Sequence, residues 1–407
     1  MVIFISKLCI KLSKIFGNHG SSIGGKIARH LDKNILKKLS KNVKIVIVIT
    51  GTNGKTTTSN LIASCFDKKI IHNSKGANMY QGIVNAFLET KSDTAVLEVD
   101  EGSIEKVFKD LRVDYFVITN FFRDQLDRYS EIDMIIEKIK NSIQSNTKLI
   151  LNANDPFTMK LDNNNSIYYG ISSDYLGFKN FEISESKYCP HCHKKLIYSK
   201  LFYLQVGYYS CENCEFKTPH LSAVASEFTN DFVVINGEKF KHNLMGNYNI
   251  FNFCATYCIA KELDLDVDNG FIKYKSYDGR MQKIGKHIVT LAKNPSGMNL
   301  SLLQINSEFK NVLFILNDNF VDGIDISWIW DADFELLKNN YEFFVAGLRK
   351  EDMALRLKYA GISSKNIHII NNLNKESMYI LNDMTFCISS FTGIEEIKSI
   401  VEKRVNI

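Results

Sequence analysis

The residues best placed to do chemistry are Gly51, Thr52, Asn53, Gly54, Lys55, Thr56 and Thr57, which follow directly on the apolar run Lys44–Thr50. A β-branched strand, a tight glycine turn and a Lys-Thr pair opening a helical pattern make a cradle for nucleotide phosphates. Gly51 and Gly54 permit backbone conformations and close approaches that a side chain would block. The N–H groups of the turn then face the phosphates, and the helix dipole favours anions. Lys55 would bridge the β- and γ-phosphates of ATP, and the Thr56 hydroxyl would hold Mg²⁺. The spacing is a short form, with Ile49 where the common phosphate loop has glycine. A plain glycine turn is the alternative. Glu98, near the end of Ala95–Val99, could join the Mg²⁺ shell directly or through water. A solvated charge beside Asp100 and Glu101 is the other reading.

Four cysteines form a second set. Cys189-Pro-His-Cys192 and Cys211-Glu-Asn-Cys214 are two Cys-x-x-Cys knuckles separated by eighteen residues. Four thiolates complete a tetrahedral Zn²⁺ shell and leave no position for water or substrate, so the metal would be structural. His191 and His193 lie nearby but are not needed. Two disulfides are the alternative, disfavoured in a reducing compartment. Between the knuckles, Leu196–Tyr198 and Leu201–Leu204 read as two short strands of a ribbon. Cys9, Cys65, Cys254, Cys258 and Cys387 are scattered in apolar surroundings and read as buried small hydrophobes.

Amides cluster further along. Asn249 and Asn252 open an apolar helical pattern and share one face. Each offers donor and acceptor together, as reading an adenine edge requires; alone they would be caps or turn formers. Thr119–Arg128 and Leu151–Pro156 are dense in polar groups where strand patterns end.

The elements that must position these residues alternate. Strand runs at Ala95–Val99, Tyr115–Thr119 and Lys148–Asn152 are separated by helical patterns such as Ser130–Ile143, which predicts an α/β fold with a parallel sheet. Ligand groups gather at the carboxyl ends of such strands. From about 284 the alternation resumes (311–316, 342–346, 367–370, 385–388), predicting a smaller Rossmann-like C-terminal domain. The expected division is an N-terminal helical segment 1–40, a central domain 41–282 with a zinc-ribbon insertion at about 185–220, and a C-terminal domain 283–407. A chain of 407 residues with 45% hydrophobic and 23% charged residues has the makings of two or three cores. Its formal charge of +5 gives little support to a nucleic-acid partner. The N-terminal stretch 1–16 is apolar but punctuated by Lys7, Lys11 and Lys14. It reads as a basic amphipathic helix that could touch a membrane surface, with packing on its own domain preferred. With no secretory or membrane-spanning segment visible, a cytoplasmic protein is expected.

Taken together, the motifs resemble those of the Mur ligases. The carriers are Gly51–Thr57, Glu98, Thr119-Asn120 with Asp124 and Asp127, Asn152–Pro156, Asn249 with Asn252, and Asp278-Gly-Arg280-Met281. Within that family the chain is most similar to the MurT group, ligase subunits of lipid II isoglutaminyl synthase. The residues behind this are Gly76–Met79, Asp100–Ser103, Asn120–Arg128, the four-cysteine insertion, Leu291–Asn299, Leu316–Asn319 and Asp322–Trp330.

The resemblance implies a Mur-ligase-like central domain binding ATP and Mg²⁺, and amide formation through an acyl phosphate. Arg280, at the hinge to the last domain, could clamp phosphate; a surface ion pair is its alternative. The implied substrate is the D-glutamate α-carboxylate of the lipid II stem, met at the inner face of the membrane, with membrane contact only through that lipid. Ammonia would come from a separate GatD-like glutaminase, because the free cysteines here lack an evident oxyanion turn or paired histidine. Asp325 is implied to complete that partner's Cys-His pair, with Asp322 as fallback. Trp328 and Trp330, the two tryptophans, would be core anchors or interface residues. Two departures stand out: Gln125 replaces a usual histidine, and only some forty residues precede the cradle, leaving no room for a UDP-binding domain. A folylpolyglutamate-synthase-like ligase and a zinc-ribbon nucleic-acid-binding NTPase are the competing readings.

Overall fold

The computed structural model describes residues 1–15, 22–74, 76–122, 132–178, 186–274 and 281–405. They fall into two compact units. The first takes 1–122, 132–243 and 247–274; the second takes 244–246 and the chain from 281 onward.

The first unit is built on nine strands: β1 (Ile45–Thr50), β2 (Ile71–His72), β3 (Thr94–Glu98), β4 (Tyr115–Ile118), β5 (Lys148–Asn152), β6 (Ser166–Ile171), and, beyond a hairpin of β7 (Ile197–Tyr203) and β8 (Val206–Ser210), β9 (Ala223–Phe228), β10 (Phe232–Ile235) and β11 (Glu238–Lys241). Their spatial order is β11-β10-β9-β6-β5-β4-β1-β3-β2. Every residue of strand β1 is β-branched and it is buried from its second residue on, as a central parallel strand requires. It pairs in parallel with β3 on one side and β4 on the other. Strand order therefore diverges at β1, and the divergence opens a crevice at its carboxyl end, where the glycine turn lies. The sheet is parallel from β2 to β9, but β10 and β11 extend it antiparallel. The helices Val2–Ile15, Ile23–Leu31 and Ile35–Leu39 belong to this unit.

The hairpin corrects one expectation. The two short strands foreseen between the knuckles are one, β7, paired antiparallel with β8 across a turn in which Leu204 has φ of +49°. Register shifts near Ser199 and Phe202 break the alternation that an uninterrupted strand would show.

The second unit has six strands, β12 (Gln282–Ile284), β13 (His287–Leu291), β14 (Asn311–Ile315), β15 (Glu342–Ala346), β16 (Ile367–Ile369) and β17 (Thr385–Ser389), ordered β12-β13-β17-β14-β15-β16. All neighbours are parallel except β12 with β13. Among the five isolated cysteines, Cys65, Cys254, Cys258 and Cys387 are buried as expected, whereas Cys9 is half-buried on the N-terminal helix.

Candidate functional site

The turn after β1 has the backbone that its glycines foretell. Gly51 has φ of +123° and Gly54 of +85°. A Cβ on Gly51 would lie 2.2 Å from Thr119 Oγ1, and one on Gly54 would lie 2.5 Å from Asn252 Oδ1. Both glycines are thus required by conformation and by space. Lys55 opens the helix Lys55–Ser64 and its side chain curls back over the turn. Its Nζ donates to the Gly51 carbonyl and, at 3.3 Å, to that of Thr52. Both carboxylate oxygens of Glu101 lie 3.2 Å from Nζ, in a pair about nine-tenths buried on each side.

The segment after β4 clamps the turn from outside. Asn53 N–H donates to Asn120 Oδ1 at 2.9 Å, and Asn120 Nδ2 returns a bond to the Asn53 carbonyl at 3.1 Å. Thr119 Oγ1 donates to that same carbonyl at 2.7 Å. Thr52 N–H reaches the Asn120 carbonyl and Thr52 Oγ1 accepts from Phe122 N–H, each at 2.9 Å. Behind this, Asp155 accepts from Phe121 N–H at 2.8 Å, and Asn152 Nδ2 donates to the Thr119 carbonyl at 2.9 Å.

Glu98 ends β3 opposite Ile49 of β1 and is 3% exposed. Oε1 accepts from Asn78 Nδ2 at 3.0 Å, while Oε2 is buried with no hydrogen-bond partner. An orphaned carboxylate oxygen in a buried site is costly unless a cation completes it. The open oxygen of Glu98 is of the type a cation such as Mg²⁺ takes, and Thr56 is half-buried in the first turn of the helix. Asn249 and Asn252 are buried at the start of the helix Asn249–Glu262. Asn252 accepts from Thr58 Oγ1 at 3.1 Å and donates to Asn249 Oδ1 at 2.8 Å, so this pair also backs the phosphate turn. Arg280, with Asp278, and the stretch holding Asp124, Gln125 and Asp127 lie outside the described residues.

The four knuckle sulfurs converge within 4.8 Å of one another, the single such cluster among the described residues. Cys189 and Cys214 are 3.5 Å apart and Cys192 and Cys211 3.4 Å. Sulfurs about 2.3 Å from a tetrahedral centre stand roughly 3.8 Å apart, so the set fits Zn²⁺ without either histidine. The hairpin turns back into the domain: Gln205 Nε2 donates to the Phe121 carbonyl at 2.8 Å, and Gly207 N–H to the Asn154 carbonyl at 2.8 Å.

In the second unit, Asp322 is buried and fixed. It accepts from Thr392 N–H at 2.7 Å, Thr392 Oγ1 at 2.6 Å and Asn319 Nδ2 at 3.1 Å, holding the start of the helix Phe391–Val405. Asp325 is half-buried and accepts from Ser327 N–H and Oγ at 2.7 and 2.9 Å. The exposed side chains of Phe320, Val321 and Ile324 stand beside it in sequence. Trp328 is buried and Trp330 half-exposed, so the two tryptophans divide between core and surface.

The Mur ligase middle-domain family matches residues 49–260, and the MurT ligase C-terminal family matches 291–391. The MurT subunit of lipid II isoglutaminyl synthase (glutamine-hydrolyzing) from Staphylococcus aureus strain COL is 42% identical, with 88% of this chain and 87% of that one covered. Its counterpart from Streptococcus pneumoniae strain R6 is 34% identical, with 95% and 93% covered. This chain belongs to the MurT family.

Among solved structures, a pseudomurein peptide ligase type C from Methanothermus fervidus is 26% identical, with 91% of this chain and 81% of that one covered and a TM-score of 0.71. The MurF ligase of Thermotoga maritima in complex with ADP, 14% identical, covers 92% and 84% at a TM-score of 0.64 and shows the fold alone. The α/β Mur ligase fold, with the four-cysteine cluster set into it, is therefore the fold of a ligase. Within this MurT-family chain, Glu101 is the site residue that sequence reading passes over. Its acidic neighbours mask it, and its partner Lys55 lies 46 positions away.

Proposed function

We propose that this chain is the ATP-dependent ligase subunit of a lipid II isoglutaminyl synthase, amidating the D-glutamate α-carboxylate of the stem peptide to D-isoglutamine. The observation that carries this is the identity to MurT subunits over nearly their whole length, joined to a C-terminal family match that spans Asp325. A carboxylate is a poor electrophile. Transfer of the ATP γ-phosphoryl to it yields an acyl phosphate and ADP. Ammonia then attacks the carbonyl carbon, the C–N bond forms, the C–O bond to phosphate breaks, and inorganic phosphate leaves as the nitrogen gives up a proton.

The turn N–H groups and Lys55 hold and neutralise the phosphates as charge moves, the main service a protein gives phosphoryl transfer. Mg²⁺, held by Thr56 and Glu98, supplies further charge neutralisation. Asn249 and Asn252 serve the nucleotide end of the site, and Arg280 clamps phosphate. Zn²⁺ in the four-cysteine cluster is structural. Ammonia comes from a GatD-like glutaminase subunit, whose Cys-His pair Asp325 completes: a carboxylate on the imidazole fixes its tautomer and stabilises its charged form. Asp325, partly open to solvent and bonded only to nearby Ser327, suits that contact better than the enclosed Asp322.

The test is mass spectrometry of lipid II incubated with this chain, ATP and Mg²⁺, given ammonium or glutamine, with and without a GatD-type glutaminase. Amidation from ammonium with this chain alone, and from glutamine only with the partner, is expected. No amidation by folded, ATP-binding protein would overturn the assignment in favour of a folate-type ligase.

A further inference from the structure

Charge is unevenly placed along this chain. Lys and Arg outnumber Asp and Glu by 50 to 45, and that whole excess lies in the first 31 residues. They hold Lys7, Lys11, Lys14, Lys26 and Arg29 and no acidic residue, while the remaining 376 residues carry 45 of each sign. The helix Val2–Ile15 within this stretch packs on its unit by one face only. Ser6 and Ile10 are buried. Ile10 presses so closely on the next helix that a Cβ on Gly24 would lie 2.4 Å from it.

The opposite face is apolar and open. Phe4 is 73% exposed, Leu8 47% and Leu12 45%, at successive i+4 positions. At about 100° per residue these three span roughly 80° of the helix surface, with Lys7 and Lys11 along one border. Large apolar side chains exposed together mark an interaction surface. Phenylalanine and leucine on one arc, lysines at its edge and no acidic residue in the helix are the features of a helix lying in a lipid interface. No described helix is long and apolar enough to cross a membrane.

We propose that the exposed face of the helix Val2–Ile15 seats on the surface of an anionic bilayer. Phe4, Leu8 and Leu12 enter the boundary between headgroups and acyl chains, and the Lys7 and Lys11 ammoniums meet lipid phosphates. A bilayer suits this face better than a protein groove, because the basic excess is confined to this end of the chain and lipid phosphates supply the opposite charge over a broad surface. The inference rests on charge and exposure and stands apart from the reaction assigned above.

The test is co-sedimentation of the full chain with vesicles of phosphatidylcholine alone or mixed with phosphatidylglycerol, at low and high salt. Binding to the mixed vesicles, weakened by salt, is expected. Lys7→Glu with Lys11→Glu should lower the affinity by roughly tenfold or more, since each lysine near an anionic surface contributes about fivefold. Phe4→Ser with Leu8→Ser should lower it at least comparably. Because the altered residues lie on the unpacked face, thermal melting should match the parent chain and show that the fold is intact. Parent chain that stays in solution with anionic vesicles would overturn the proposal, as would variants that bind like the parent. A doubled mass in light scattering that the Phe4→Ser, Leu8→Ser variant abolishes, without vesicle binding, would assign the face to a second copy instead.

Discussion

Lys55 has one charge and two claims on it. Glu101 neutralises it in the structure, with both oxygens at 3.2 Å in a largely buried pair. In the proposed function nucleotide phosphates use the same ammonium, and Glu101 would compete with them. Glu101→Gln should therefore tighten binding of Mg²⁺-free ADP by about five- to tenfold in calorimetry; an unchanged or weaker affinity would mean that the carboxylate serves the bound state instead. Lys55→Ala removes the charge altogether and should cut amidation by roughly 10²–10³-fold with either nitrogen source. Asp325→Asn separates the two half-reactions. Glutamine-dependent amidation should collapse while ammonium-dependent amidation holds, and equal loss of both would remove Asp325 from the partner's triad. Asp322 lies three positions earlier, yet it caps a helix inside the unit. Sequence reading keeps both aspartates as candidates because only tertiary packing tells an enclosed carboxylate from an available one.

The phosphate turn keeps its shape through other elements. Thr119–Phe122 holds it by paired amide and hydroxyl bonds, and β7–β8 holds that segment through Gln205 to the Phe121 carbonyl. Loss of the metal proposed for the four cysteines should thus be felt at the turn. Chelation, or Cys192→Ser, should lower both the melting temperature of the first unit and its affinity for ATP, read in parallel by calorimetry. A lowered melting temperature with ATP affinity intact at temperatures where the unit stays folded would show that the ribbon and turn are uncoupled. Gly51→Ala should damage the same bracing directly. Its positive φ and the 2.2 Å approach to Thr119 Oγ1 together cost about 1–3 kcal/mol. The cradle is legible in the sequence because its glycines, lysine and threonines are neighbours, and Glu98 because strand ends can be read from apolar runs. The bracing is not legible, since it pairs side chains with backbone groups brought from three other strand ends.

Each unit holds a histidine that folding keeps neutral. Burial holds His242 in the first unit and His287 in the second at about 4, Lys286 and Arg404 adding to the effect on His287. The unfolded chain takes up these protons near the ordinary 6.5. Their contribution is therefore fully present above that pH and is lost as pH falls from 6.5 toward 4. Replacing His287 by Gln should flatten the loss in the second unit by about 2 kcal/mol, seen by denaturant unfolding across that window. At this scale the α/β alternation was readable in both units, because buried parallel strands are near-continuous apolar runs. The antiparallel additions β10, β11 and β12 were not: each is only three or four residues long, and β11 and β12 are mixed in polarity. Those short strands matter for what can attach to the molecule. The outer strands of the two large sheets, β2, β11, β12 and β16, are two, four, three and three residues long. So few open backbone groups give an incoming chain little to zip onto, which protects concentrated protein from strand-by-strand aggregation. A companion subunit that met one of these edges would have to recognise it through side chains.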